Sequence, residues 1–165
     1  DLALAPRLSI AQNVFMGSEL TRPLLFPFIR VLDKARMIAE SQRYLSQLSA
    51  AVTDMKRPVE RLSGGQRQAV AISRALRWNA EIIIMDEPTA ALGVKESALV
   101  LDLIRKLKAD GRTVILISHN MRDVVALADR VVIMGAGRKY VDEPLGSMTA
   151  DDIAHRIMAG NTHAA

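Results

Sequence analysis

Three short apolar runs constrain this chain more than anything else in it. "EIIIMD" closes at Asp86, "TVILISH" runs from Thr113 to His119, and "RVVIM" runs from Arg130 to Met134. Short unbroken stretches of Ile and Val between polar residues are the pattern of strands buried on both faces. Between the first two lies "VKESALVLDLIRKLKADG", where Leu99, Leu103, Ile104 and Leu107 form one apolar helical face and Gly111 ends it. Strand, helix, strand, helix, strand predicts an α/β fold around a parallel sheet. Such a sheet needs a large apolar complement. A chain of 165 residues that is 50% hydrophobic and 24% charged supplies one, which excludes a disordered segment. No apolar run reaches the length of a membrane span, and no basic-flanked apolar leader opens the chain. With no cysteine, disulfides, thiolate metal sites and cysteine nucleophiles are excluded.

The flanking segments are of a different kind. Residues 1 to about 78 read as mostly helical. Ser9 caps "SIAQNVFMG" and Gly17 stops it, while "RPLLFPF" with its two prolines reads as a loop. Asp33 caps a helix whose stripe is Ala35, Ile38, Ala39, Leu45 and Leu48. "RLSGGQRQAVAISRAL", from Arg61 to Leu76, sets a serine and two glycines at a helix start, with Gln68, Ala71, Ile72 and Ala75 on the packed side. After the third strand, "MGAGRKYVDEP" reads as a turn with a closing strand pair. "TADDIAHRIMAG" reads as a last helix, with Thr149 and Asp152 as a capping box and Gly160 as its end.

Chemistry in such sheets gathers beyond the carboxyl ends of the strands. The first strand delivers Asp86, Glu87 and Pro88 there, and the second delivers Ser118 and His119. An aspartate at this place suits Mg²⁺, a neighbouring glutamate can polarise a water for attack on a phosphate, and a histidine can donate to a phosphate oxygen. Each feature also has a plainer reading. Asp-Glu-Pro fits a solvated turn, His119 a structural histidine, and Ser63-Gly64-Gly65 a simple helix cap.

Their order and spacing point to one family. "LSGGQ" at 62–66, "IIIMDEPT" at 82–89 and "ISHN" at 117–120 resemble the signature motif, the Walker B strand with its glutamate, and the histidine switch of the ATP-binding-cassette ATPases. "DLALAPRLSIAQNVFMG" resembles the stretch after that family's Q-loop glutamine. The run as a whole looks most like the ATPase subunits of bacterial importers of ribose, xylose and fructose.

The resemblance implies a partial P-loop NTPase (RecA-like) parallel sheet. Residues 1–78 would be the helical signature subdomain, and residues 79–165 the C-terminal part of the ATPase core. It implies ATP and Mg²⁺, with Glu87 and His119 catalytic, Asp86 supporting the metal, and Ser63, Gly64, Gly65 and Gln66 binding ATP held by a second subunit in a head-to-tail dimer. Backbone N–H groups at a helix start favour a phosphate, and glycines let it come close. It also implies a membrane permease, met through the apolar cluster Leu2, Leu4, Pro6, Leu8 and Phe15, a periplasmic sugar-binding protein beyond it, and a peripheral place on the cytoplasmic face of the inner membrane.

Two departures accompany the match. No G-x-x-x-x-G-K-[ST] string occurs, and the chain opens on Asp1 just past the matched Q-loop, so a fragment lacking the P-loop and the Q-loop glutamine, inactive alone, is the expectation. The aspartate usual in the family's D-loop is Gly93 here. Two other classes share features: an ATPase of DNA repair or chromosome maintenance, and a non-catalytic interaction fragment. The first flanks its signature with long heptad coiled coils, and none is present. A net charge of +4 over 22 basic and 18 acidic residues suits nucleic acid or an anionic membrane surface, but so small an excess is weak evidence for either.

Overall fold

The computed structural model describes residues 3–24, 28–48, 50–90 and 92–162. It divides into two compact units, one formed by residues 1–83 and 89–114 and the other by residues 84–88 and 115–165.

The first unit is chiefly helical. Helix α1 (Ile10–Phe15) opens on a capping box: Ser9 Oγ accepts from the Gln12 N–H, and Gln12 Oε1 accepts from the Ser9 N–H. Asn13, wholly buried, donates to the carbonyls of Ala5, Leu8 and Ser9, and its Oδ1 accepts from the Ala5 N–H, fixing the entry strand on the helix. Of the proline-rich stretch read as a loop, Arg22 and Pro23 belong to strand β1 (Thr21–Pro23), which pairs antiparallel with β2 (Arg30–Leu32), and residues 25–27 lie outside the described residues. Helix α2 (Lys34–Gln47) starts at Asp33, as the sequence indicates, and of the expected stripe it buries Leu45 and Leu48 and half-buries Ile38, but not the two alanines. Met37, Ser41 and Leu45 are buried, whereas Ala35 and Ala39 are exposed. The larger Met37 buries more apolar area than either alanine and sets the rotation.

Helix α3 (Gly64–Arg77) packs against α1 and α2. Its buried side is Gly65, Gln68, Ala69, Val70, Ile72 and Ser73, with Ala71 and Ala75 only half-buried. At its far end Arg77 lies between two rings, 5.0 Å from the Phe15 centroid and 4.7 Å from that of Trp78, and it also donates to Ser18 Oγ. Helix α4 (Val94–Ala109) packs against α3 through a face of Val100, Leu103, Ile104 and Leu107. Leu99, expected there, is 54% exposed. Gly111 ends the helix at φ +76°.

Strands β3 (Ile82–Asp86) and β4 (Thr113–Ile117) pair with each other and run through both units. The Thr113 N–H donates to the Glu81 carbonyl at one end and the Glu87 N–H to the Ile117 carbonyl at the other, so the pair is parallel. The remaining strands form a separate pair, in keeping with a partial sheet and with the turn and closing strand pair read at "MGAGRKYVDEP". Strand β5 (Arg130–Gly135) pairs with β6 (Arg138–Pro144) as an antiparallel hairpin through a two-residue turn, Ala136-Gly137, with φ +46° and +74°. Among the described residues β5 has no other strand partner. Nor are the apolar runs covered on both faces. Ile83 and Met85 are buried, but Ile82, Ile84, Ile115, Ile117, Val132 and Met134 are between 47% and 68% exposed. The apolar character is that of a two-sided core, and these residues cover one side of it.

In the second unit, short helix α5 (Met121–Leu127) and α6 (Ala150–Thr162) close over β5, with Val131, Ile133 and Ile153 at the centre. Thr149 and Asp152 cap α6 reciprocally, as expected. Hydrogen bonds from the Thr149 hydroxyl and N–H hold the Asp152 carboxyl below its ordinary range. The helix runs through Gly160 to Thr162.

Candidate functional site

The carboxylate pair stands where the sheet ends. Asp86 is the last residue of β3 and is exposed. At Glu87 the chain turns sharply, with φ +46°, a conformation that costs an ordinary residue about 1–2 kcal/mol. Three contacts hold it there. The Glu87 N–H donates to the Ile117 carbonyl at 2.9 Å. Glu87 Oε1 accepts from the His119 N–H at 3.0 Å and lies 2.8 Å from His119 Nδ1. A glutamate side chain in a strained turn, tied to the next strand by backbone and ring together, has its position determined by the fold. The His119 side chain is 80% exposed. With Nδ1 engaged by Glu87, its Nε2 is left for another partner. The ring borders an open depression lined also by Asn120, Arg122, Asp151 and Ala154.

The expected catalytic pair, Glu87 and His119, is therefore brought into direct contact. Around Asp86, as elsewhere among the described residues, no group of three or more acidic, histidine or cysteine residues that could hold a metal occurs. A lone exposed carboxylate is nonetheless what Mg²⁺ uses when substrate phosphates and water supply the rest of its shell.

The second group of expected residues stands at the start of α3. Ser63 is exposed and caps the helix, its Oγ accepting from the Gln66 N–H while Gln66 Oε1 accepts from the Ser63 N–H. The plainer reading, a capping box, is thus present in full, and it leaves the serine hydroxyl proton available to a ligand. Gln66 has less to offer. Its Nε2 also donates to the Ala51 carbonyl, so both ends of the amide are engaged within the chain. Gly64 is half-buried and Gly65 buried. Their N–H groups belong to the first turn, where a helix provides no acceptor.

The apolar cluster near the start of the chain is divided. Pro6 and Leu8 are exposed and Leu4 is half-buried. Phe15, at 1% exposure, belongs to the core, and its ring carries Arg77. Leu2 lies outside the described residues. Sequence reasoning missed Leu92 and Glu96, which pack against the two glycines of α3. A glycine at a helix start where no positive φ is needed is the signal that could have found them. No helix among the described residues is long and apolar enough to cross a membrane.

The profile of the ABC transporter family matches residues 1–90. The chain is similar to the fructose import ATP-binding protein of Rhizobium meliloti, 47% identical over 157 residues that cover 93% of this chain and 60% of the relative. It is also similar to the xylose/arabinose import ATP-binding protein of Sulfolobus acidocaldarius, 44% identical over 138 residues that cover 84% and 53%. Among solved structures it resembles the dimeric post-hydrolysis state of an ATP-binding cassette bound to ADP and Pi, with a TM-score of 0.66, 28% identity, and coverage of 89% of this chain and 61% of that one. The chain thus spans little more than half the length of the relatives it matches.

Proposed function

Because the chain belongs to the ABC transporter family, we propose that it forms part of the ATP-hydrolysing subunit of an importer for small sugars of the pentose and hexose class. The names of its relatives support the sugar assignment. The observation that carries the hydrolytic role is the Glu87–His119 contact. A carboxylate fixed beyond an apolar strand, with Oε1 held by a backbone N–H and a ring nitrogen, is placed to take a proton from a water attacking the terminal phosphate. His119 steadies that carboxylate through Nδ1 and turns Nε2 to a phosphate oxygen. Asp86 would hold Mg²⁺, which would supply charge neutralisation at the phosphates.

Ser63 and the N–H groups of Gly64 and Gly65 face ATP held by a second subunit, with Gln66 acting by bracing Ser63. Residues 1–78 are the helical subdomain, and residues 79–165 belong to the ATPase core. Pro6 and Leu8, with Leu4 beside them, meet the permease, and the subunit works peripherally at the cytoplasmic face of the membrane with a periplasmic sugar-binding protein opposite. The test is reconstitution of the intact subunit with its permease in vesicles. ATP-dependent uptake of labelled fructose or xylose is expected, and hydrolysis without uptake of any pentose or hexose would overturn the sugar assignment.

A further inference from the structure

Gly64 and Gly65 are not glycines for the sake of backbone freedom. Positive φ among the described glycines is confined to Gly17, Gly111, Gly137 and Gly146, so the backbone at 64 and 65 suits any residue. What excludes a side chain is neighbouring matter. A Cβ on Gly64 would fall on Leu92 Cδ2, with Leu92 Cγ at 3.6 Å and Glu96 Oε2 at 3.4 Å. A Cβ on Gly65 would meet the Glu96 carbonyl oxygen at 3.5 Å and its Cα at 3.9 Å. The first turn of α3 is therefore seated on segment 92–96, and a leucine methyl fills the space where residue 64 has no side chain.

We propose that Leu92 is a positioning residue for the Ser63 motif, and that Gly64 is glycine in order to receive it. The side chain at 92 sets where the first turn of α3 stands, and with it Ser63 and the N–H groups of Gly64 and Gly65. The inference rests on the proposed role of that motif toward a second subunit's ATP. It departs from the reading in which the glycine exists to admit phosphate. In that reading any side chain at 64 is harmful. In this one an alanine at 64 is harmful only while Leu92 occupies its place.

Double-mutant analysis in the intact subunit separates the two. Gly64→Ala and Leu92→Ala are each expected to lower kcat about tenfold, the scale of an overfilled or emptied methyl-sized contact. Nucleotide affinity of the monomer should stay unchanged, which a general loss of structure would not allow. The double variant Gly64→Ala/Leu92→Ala should recover most of kcat, because the new methyl enters the vacated space. A double variant no better than the poorer single, or singles at wild-type kcat, would overturn the proposal. Should Gly64→Ala fail to fold, the double variant against Leu92→Ala still decides: higher kcat supports the seat, lower kcat removes it. If the wild-type subunit hydrolyses no ATP, the functional reading fails by itself, and the same cycle in thermal midpoint tests the packing. Recovery in the double supports it, and simple additivity refutes it.

Discussion

Replacing Glu87 by Gln in the intact subunit separates holding from chemistry. Gln keeps the Oε1 acceptor, so the His119 N–H at 3.0 Å and Nδ1 at 2.8 Å retain their partner and the strained turn keeps its tether. What is lost is the charge and the capacity to take a proton. The contact is exposed, 80% on the histidine and 34% on the glutamate, so removing the glutamate charge costs no more than about 1 kcal/mol. General-base catalysis contributes roughly 10²–10⁴-fold, or about 3–5 kcal/mol of barrier. Glu87→Gln should therefore bind ATP within about fivefold of wild type while kcat falls at least about a hundredfold.

His119→Ala gives a second reading of the same site. It deletes the ring but leaves the backbone N–H that anchors Glu87. If the ring only steadied the glutamate, the loss would be small. On the proposed role, in which Nε2 meets a phosphate oxygen, a loss of about a hundredfold is expected. Phosphate release in steady state measures both variants, and ATP binding by calorimetry provides the control. Glu87→Gln turning over at near wild-type rate would refute the assignment of the base.

Further outcomes follow from packing and charge. In the β5–β6 hairpin, hydrogen bonds from Lys139 and then Arg130 hold the Asp142 carboxyl below its ordinary 3.8. A lowered carboxyl stabilises the fold above its unfolded pKa, and that contribution is lost as pH falls through the folded value. Asp142→Asn should thus lower the thermal midpoint of the intact subunit at pH 7, by an amount that shrinks as pH falls below 3.8; a deficit against wild type that does not change with pH would count against the pairing. Ile153→Ala, at the centre of the second unit's core with 2% exposure, should cost about 2–5 kcal/mol in denaturant unfolding. The 165-residue chain by itself exposes the apolar faces of β3, β4 and β5, so it is expected to aggregate, bind ATP weakly and bind a hydrophobic dye. A monomeric sample with a cooperative thermal transition would contradict this.

What could be read from the sequence was local. Caps at Ser9, Asp33, Ser63 and Thr149 are written in neighbouring residues and stand as expected. The placing of Glu87 and His119 beyond two strand ends was legible because a strand end fixes where its following residues go, whereas their direct contact was not. Burial was less legible, since it depends on what lies opposite. Leu99 and Val100 are equally apolar neighbours, and only the rotation of α4 against α3 decides that Val100 is the buried one. The same holds for the apolar strands, whose composition announces two covered faces without saying what covers them. The meaning of Gly64 was hidden for a related reason: the residue that explains it, Leu92, is 28 positions away in the chain.

The anchoring of α3 at both ends gives it a mechanical character. Fourteen residues make a rod roughly 21 Å long. At one tip Leu92 and Glu96 grip the glycines, and at the other Arg77 is clamped between the rings of Phe15 and Trp78 and bonded to Ser18. A helix free at one end could dissipate a push by fraying. This one is pinned at both, so the place of Ser63 is set by two separate supports, segment 92–96 beneath the first turn and the Phe15–Arg77 stack at the last.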